Sequence, residues 1–295
     1  YVEQSGLGMG NKEYYLDPAN AHILDAYKTY IKTLFAMSIK DEAGAEQAMQ
    51  NVIDTEMAIA QGSFSQVELR DIHRNYNPTT VAELKADYPN FPWDIYFERM
   101  GIATERVIVG QPSALVAMNS LMKTMTTEQM RDYLAFHYLT SASSYLSDEW
   151  MTANFEFFGR TMSGQEQPKP RWKRALSVPN SILEKAVGKL YVDKYFPESH
   201  KAKVLEMVQN LQAALQQHIE GLEWMSDATK QAAIDKLSGF IVKIGYPDTW
   251  KDYSGLEIKN DSYWANMCRA SDFRHTQMSE DEGQPVDRTE WGMSP

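Results

Sequence analysis

Cysteine is almost absent from this chain. Cys268 stands alone, which excludes an intrachain disulfide and a cysteine-built zinc cluster. Long apolar runs are missing too. The longest charge-free stretch, Val107 to Met122, is interrupted by Gln111, Pro112, Ser113, Asn119 and Ser120. Nothing here matches the roughly 20 apolar residues of a membrane-spanning helix. The opening residues, YVEQSGLGMG, lack the basic-then-apolar order of a signal peptide, so the expectation is that a targeting segment was never present or lies upstream. Positive charge is in deficit, with 29 Lys and Arg against 40 Asp and Glu and a net charge of -11. Such a surface repels polyanions and argues against a nucleic-acid partner. One basic cluster departs from this pattern: Lys169, Arg171, Lys173 and Arg174, with Trp172 interleaved. It could grip a phosphate strand, but the preferred reading is a structural loop whose arginines pair with local carboxylates.

Recognisable catalytic motifs are also lacking. None of His22, His73, His137, His200, His218 and His275 has another histidine three to five residues away, so no helix face offers the paired ligands of an HExxH zinc site. Each is read as a surface or packed residue. The string GLGMG at 6–10 is not G-x-G-x-x-G and follows no visible strand, and Lys189 precedes neither Ser nor Thr; a turn is favoured over a phosphate loop. No serine sits in a G-x-S-x-G elbow, and Cys268 has no recognisable partners. Asn260, Asp261 and Ser262 form one glycosylation sequon, a pattern common by chance.

What the chain does contain is helix. At 295 residues, 43% hydrophobic and 23% charged, it can bury the core of one large or two ordinary domains. Val204, Val208, Leu211, Leu215, Ile219 and Leu222 recur at helical spacing and predict the strongest helix. A second is predicted over about 21–37, with Leu24, Tyr27, Ile31 and Leu34 in phase, and a third over about 42–61, where Met49, Val52, Ile53, Glu56 and Ala60 share a stripe. A carboxylate inside that stripe needs a partner. Glu56 is read as structural, held by an arginine such as Arg70 or Arg74, in preference to a catalytic acid. TVAE at 80–83 is a capping box, Ser226 is an N-cap candidate, and IGYPD at 244–248 supplies stop signals. RVIVG at 106–110 reads as a short strand, while GFIVKIG at 239–245 is ambiguous between strand and helix. The fold class expected is mainly α, and the acidic, turn-rich SEDEGQPVD at 279–287 is the one linker-like stretch.

Several stretches in order carry a resemblance: GLGMGNKEYYLDP at 6–18, RNYNPTTVAEL at 74–84, PRWKRALSVPNSILEKAVGKLYVDKYF at 170–196, LEWMSDATKQAAIDKL at 222–237, IGYPD at 244–248 and PVDRTEWGMSP at 285–295. Together they resemble the neprilysin and endothelin-converting-enzyme family of zinc metalloendopeptidases, including its bacterial PepO-like members. The match spans nearly the whole chain. Ala175 stands where many relatives have cysteine, and VPN replaces the usual V-N pair; the missing cysteine suggests a bacterial, less disulfide-dependent relative.

The resemblance implies a fold and a role. Residues 1–278 would form the multi-helix noncatalytic lobe of a two-lobed zincin-type metallopeptidase, truncated at its N-terminus, and 279–295 a linker toward an absent zinc lobe. The parent enzyme would hydrolyse peptides using zinc bound elsewhere, while this lobe encloses the substrate chamber and restricts entry by size. The implied partners are peptide substrates and the catalytic lobe of the same polypeptide, in a periplasmic or extracellular setting. No catalytic and no metal-ligating residue is assigned to this chain, which alone is expected to be inactive; its substrate-binding residues are unknown. Two alternatives stay open: a stand-alone helical peptide- or protein-binding module without catalysis, and a cofactor-independent enzyme using Glu56 beside a second buried acid.

Overall fold

The computed structural model describes residues 1–38 and 41–292. It is mainly α, and the described residues fall into two compact units. The first comprises 1–168, 259–271 and 275–282; the second comprises 169–258, 272–274 and 283–295.

In the first unit, α1 (Glu13–Leu16), α2 (Ala21–Ser38) and α3 (Glu42–Gly62) follow a turn at the N-terminal glycines. The predicted phase of α2 holds: Tyr27, Ile31 and Leu34 are fully buried, with Tyr30 and Phe35 beside them. On α3, Ala45, Ala48, Val52, Ile53 and Ala60 face the same core. Asp41 starts α3 by accepting from the Gly44 amide at 2.7 Å.

A second cluster forms around the only two paired strands among the described residues. β1 (Asn77–Thr80) runs antiparallel to β2 (Arg106–Val109), the segment predicted as a strand. Val107 and Val109 turn inward with Leu84, Trp93 and Leu115. Between the strands lie α4 (Val81–Asp87) and α5 (Trp93–Met100). The predicted capping box is complete: Thr80 Oγ1 accepts from the Glu83 amide at 3.1 Å, and the Thr80 amide donates to Glu83 Oε2 at 2.9 Å. After β2 come α6 (Pro112–Thr124), α7 (Thr127–Ser143) and α8 (Asp148–Asn154), the last continuing into a π-helical turn over Phe155–Thr161. That wider turn brings Phe157 to stack on Tyr30 with ring centroids 5.4 Å apart.

The second unit begins with α9 (Arg171–Ile182) and continues through α10 (Glu184–Tyr195), α11 (Glu198–Glu220) and α12 (Asp227–Ser238). Here three expectations change. The basic cluster opens a helix instead of forming a loop, because nothing before Pro179 interrupts RWKRALSV. None of Lys169, Arg171, Lys173 and Arg174 pairs with a carboxylate among the described residues. Residues 240–245 are neither strand nor helix: Gly239 closes α12, and the apolar residues that follow join no paired strand among the described residues. Ser226 caps α12 as predicted, its hydroxyl accepting from the Thr229 amide at 3.3 Å.

The stripe of α11 forms as a helix face, yet α11 contains no buried residue. Leu211 is 64% exposed and Leu215 is 45% exposed. Few side chains in this unit are enclosed, among them Val192 and Leu237. Its irregular part is held by polar contacts: Lys201 Nζ donates to the Tyr246 carbonyl at 2.8 Å and to Asp248 at 2.6 Å. The final helix of the chain, α13 (Tyr263–Glu280), belongs for the most part to the first unit and is followed by turns. Met293 and Pro295 of the terminal landmark lie outside the described residues.

Candidate functional site

The most concentrated chemistry among the described residues lies in the first unit, around Glu56. The turn over GLGMG delivers the Gly8 amide to Glu56 Oε1 at 3.2 Å. Tyr15 of α1 donates to Oε2 at 2.8 Å, and Tyr27 of α2 donates to Oε1 at 3.1 Å. His137 of α7 sets Nε2 2.9 Å from Oε1, at ion-pair distance but outside hydrogen-bond geometry. Glu56 itself is fully buried. A buried carboxylate is tolerated only when its lone pairs are engaged, and here four elements supply partners. These replace the predicted arginine. Arg74 instead binds Glu68 at 3.0 Å and lies over the Phe64 ring.

The surroundings respond to this charge. Burial pushes the Tyr27 hydroxyl far above its ordinary range, and the adjacent Glu56 carboxylate pushes it further. Tyr15 is raised for the same two reasons, in the same order. Tyr133, which donates to the Gly6 carbonyl at 2.8 Å, is raised by burial and then by Glu56. All three are held as neutral hydrogen-bond donors. Gly8 is required by space: a Cβ there would lie 1.8 Å from Tyr27 Oη. The glycine string is thus a turn, as the sequence suggested, and its close approach to Tyr27 is a purpose the sequence did not show.

What this centre can do chemically is limited. Glu56 has no exposed surface and its oxygens are occupied by protein groups, so it has no route to a substrate proton. Asp132, also buried, accepts from Asn51 Nδ2 at 2.8 Å. The geometry makes Glu56 a tie between the glycine turn and α1, α2, α3 and α7. Tyrosine and histidine partners drawn from distant parts of the chain leave no local spacing signal, which is why they escaped the sequence reading.

Among the described residues no group of three or more His, Cys, Asp or Glu is arranged to hold a metal ion. No helix of the described residues is long and apolar enough to cross a membrane. One apolar cavity of about 220 Å³ lies between the N-terminal segment, α6 and α7, with Met118, Met122, Met125 and Met130 in its wall.

Comparison with known proteins supplies the context. A structure of the Mycobacterium tuberculosis zinc metalloprotease Zmp1 in its open state matches 99% of this chain and 46% of its own, with a TM-score of 0.93 and 32% identity. The neutral endopeptidase of Lactobacillus helveticus is 29% identical over 95% of this chain and 43% of its own length. Neprilysin-11 of Caenorhabditis elegans is 26% identical over the whole chain and 38% of its own. The chain thus spans less than half the length of the relatives it matches. The sequence model of Peptidase family M13 matches residues 1–247, and the chain belongs to that family.

Proposed function

We propose that this chain is the noncatalytic helical lobe of a zinc metalloendopeptidase, paired in a longer polypeptide with a lobe that holds the zinc. The observation that carries this reading is the match to Zmp1, which covers nearly all of this chain but only 46% of that protein. In the proposed enzyme, residues 1–278 close over a substrate chamber and admit peptides while excluding folded proteins, and 279–295 lead toward the catalytic lobe. Zinc would activate water and polarise the scissile carbonyl in that other lobe. No residue of this chain is assigned to the reaction. The setting proposed is periplasmic or extracellular.

The exposed apolar faces of the second unit support a covering partner. Leu211 and Leu215 on α11, Leu190 and Tyr191 on α10, and Trp224 are all substantially exposed, a pattern associated with interaction surfaces. The test is cleavage of a graded series by the longer polypeptide from its natural source, from short peptides through unfolded chains to folded proteins. Cleavage that falls away with size supports the reading; equal cleavage of folded proteins contradicts a size-restricting chamber. The acidic stretch 279–287 is proposed as a hinge. Shortening it should lower turnover, and unchanged turnover counts against that role.

A further inference from the structure

The basic cluster that opens α9 has a geometry that neither the fold nor the proposed activity uses. Lys169, Arg171, Lys173 and Arg174 fall within six residues, in a chain whose net charge is -11. Three lysines elsewhere in the second unit are paired, Lys185 with Glu184 at 3.4 Å, Lys189 with Asp193 at 3.5 Å and Lys201 with Asp248 at 2.6 Å, whereas here four cations crowd together without a carboxylate. None of the four has an ion-pair partner among the described residues. The Arg174 Nε is buried with no hydrogen-bond acceptor. The aromatic ring between them is open to solvent, Trp172 being 61% exposed.

Helical geometry then arranges these groups. Trp172 and Leu176 lie one turn apart on the same face, and Leu176 is 53% exposed. Arg171 and Lys173, each about 100° around the helix from Trp172, flank that face on both sides and are exposed. The Lys173 ammonium lies 5.4 Å from the Trp172 ring centroid, and Lys169 extends the positive edge just before the helix. An apolar strip with an indole at its head and cations along both margins is the pattern of a helix that rests in a membrane interface.

We propose that the first turns of α9 form a docking face for an anionic lipid bilayer. Arg171, Lys173 and Lys169 meet the headgroup phosphates, while Trp172 and Leu176 enter the boundary between headgroups and acyl chains. A nucleic acid strand would satisfy the cations and could stack on Trp172, but it gives Leu176 nothing. The acidic surface elsewhere is screened over a Debye length of about 8 Å at physiological salt, so it does not govern contact at this patch. The proposal rests on the peptidase reading in one respect: the partner lobe covers the exposed faces of α10 and α11 and leaves the start of α9 open.

The test is co-sedimentation of the longer polypeptide, and of the 295-residue chain beside it, with vesicles of phosphatidylcholine containing phosphatidylglycerol, and with vesicles of phosphatidylcholine alone. Binding to the anionic vesicles that weakens as salt is raised is expected. Reversing Lys169, Arg171 and Lys173 together to Glu should weaken it by about 100-fold or more. Trp172→Ala should reduce binding while leaving the salt dependence in place, and Lys203→Glu on α11 should leave binding unchanged. Because the reversed residues are exposed, a thermal melt within a few degrees of the parent separates lost docking from lost folding. Equal binding to both kinds of vesicle, no binding to either, or a triple variant that binds like the parent overturns the proposal. So does retention on a single-stranded oligonucleotide without vesicle binding.

Discussion

At the scale of single residues, the first unit depends on a carboxylate that no solvent reaches. Glu56 accepts from Gly8, Tyr15 and Tyr27, so the residue least free to change is the one that allows their approach. Gly8→Ala forces a methyl into Tyr27 Oη, 1.8 Å from the ideal Cβ position, and should cost about 2 kcal/mol of stability. Tyr27→Phe removes the obstructing oxygen, so the double variant should lose less than the sum of the single losses, as a double-mutant cycle from urea denaturation would show. A strictly additive pair would mean that the turn relaxes elsewhere. The tyrosines also set a pH dependence. Unfolded tyrosine ionises near pH 10, while Tyr15, Tyr27 and Tyr133 are held neutral above it by burial and by Glu56. Their contribution to stability is complete below pH 10 and is lost as the pH climbs beyond it. Thermal melts should therefore fall steeply above pH 10, and replacing Tyr133 with Phe should flatten that fall.

At the scale of elements, two helices give opposite expectations. Thr80 caps α4 with both bonds of its box formed, so Thr80→Ala should cost about 1 kcal/mol. Leu211 stands on the most periodic helix in the sequence yet is 64% exposed, so Leu211→Ser should change the stability of this chain by no more than about 0.5 kcal/mol. A larger loss in a chemical melt would show that α11 is covered in solution. The same contrast marks what sequence can tell. The phase of α2 and α3, the cap at Ser226 and the strand at 106–109 are local patterns, and each was legible because its cause lies within a few residues. The partners of Glu56 were not, since its hydrogen-bond donors come from the glycine turn, α1 and α2, with His137 of α7 beside them. Helical periodicity in α11 revealed a face but not whether anything covers it. The stretch 240–245 shows the same limit, being rich in apolar residues yet outside any helix or strand.

At the scale of the whole molecule, two units differ in how completely they are built. The first encloses an aromatic and aliphatic core from α2, α3, α7 and the turn after α8, whereas α9 and α11 of the second have no buried residue at all. Several large apolar side chains stand exposed on the second unit, in a chain that spans less than half the length of its M13 relatives; the proposed function takes them as a face for another part of a longer polypeptide. The measurement that tests this most directly is hydrolysis of an internally quenched peptide. Residues 1–295 alone are compared with the longer polypeptide from its natural source, each with and without a zinc chelator. The account predicts cleavage by the longer polypeptide alone, abolished by the chelator. Cleavage by residues 1–295 alone, or cleavage indifferent to the chelator, would contradict it.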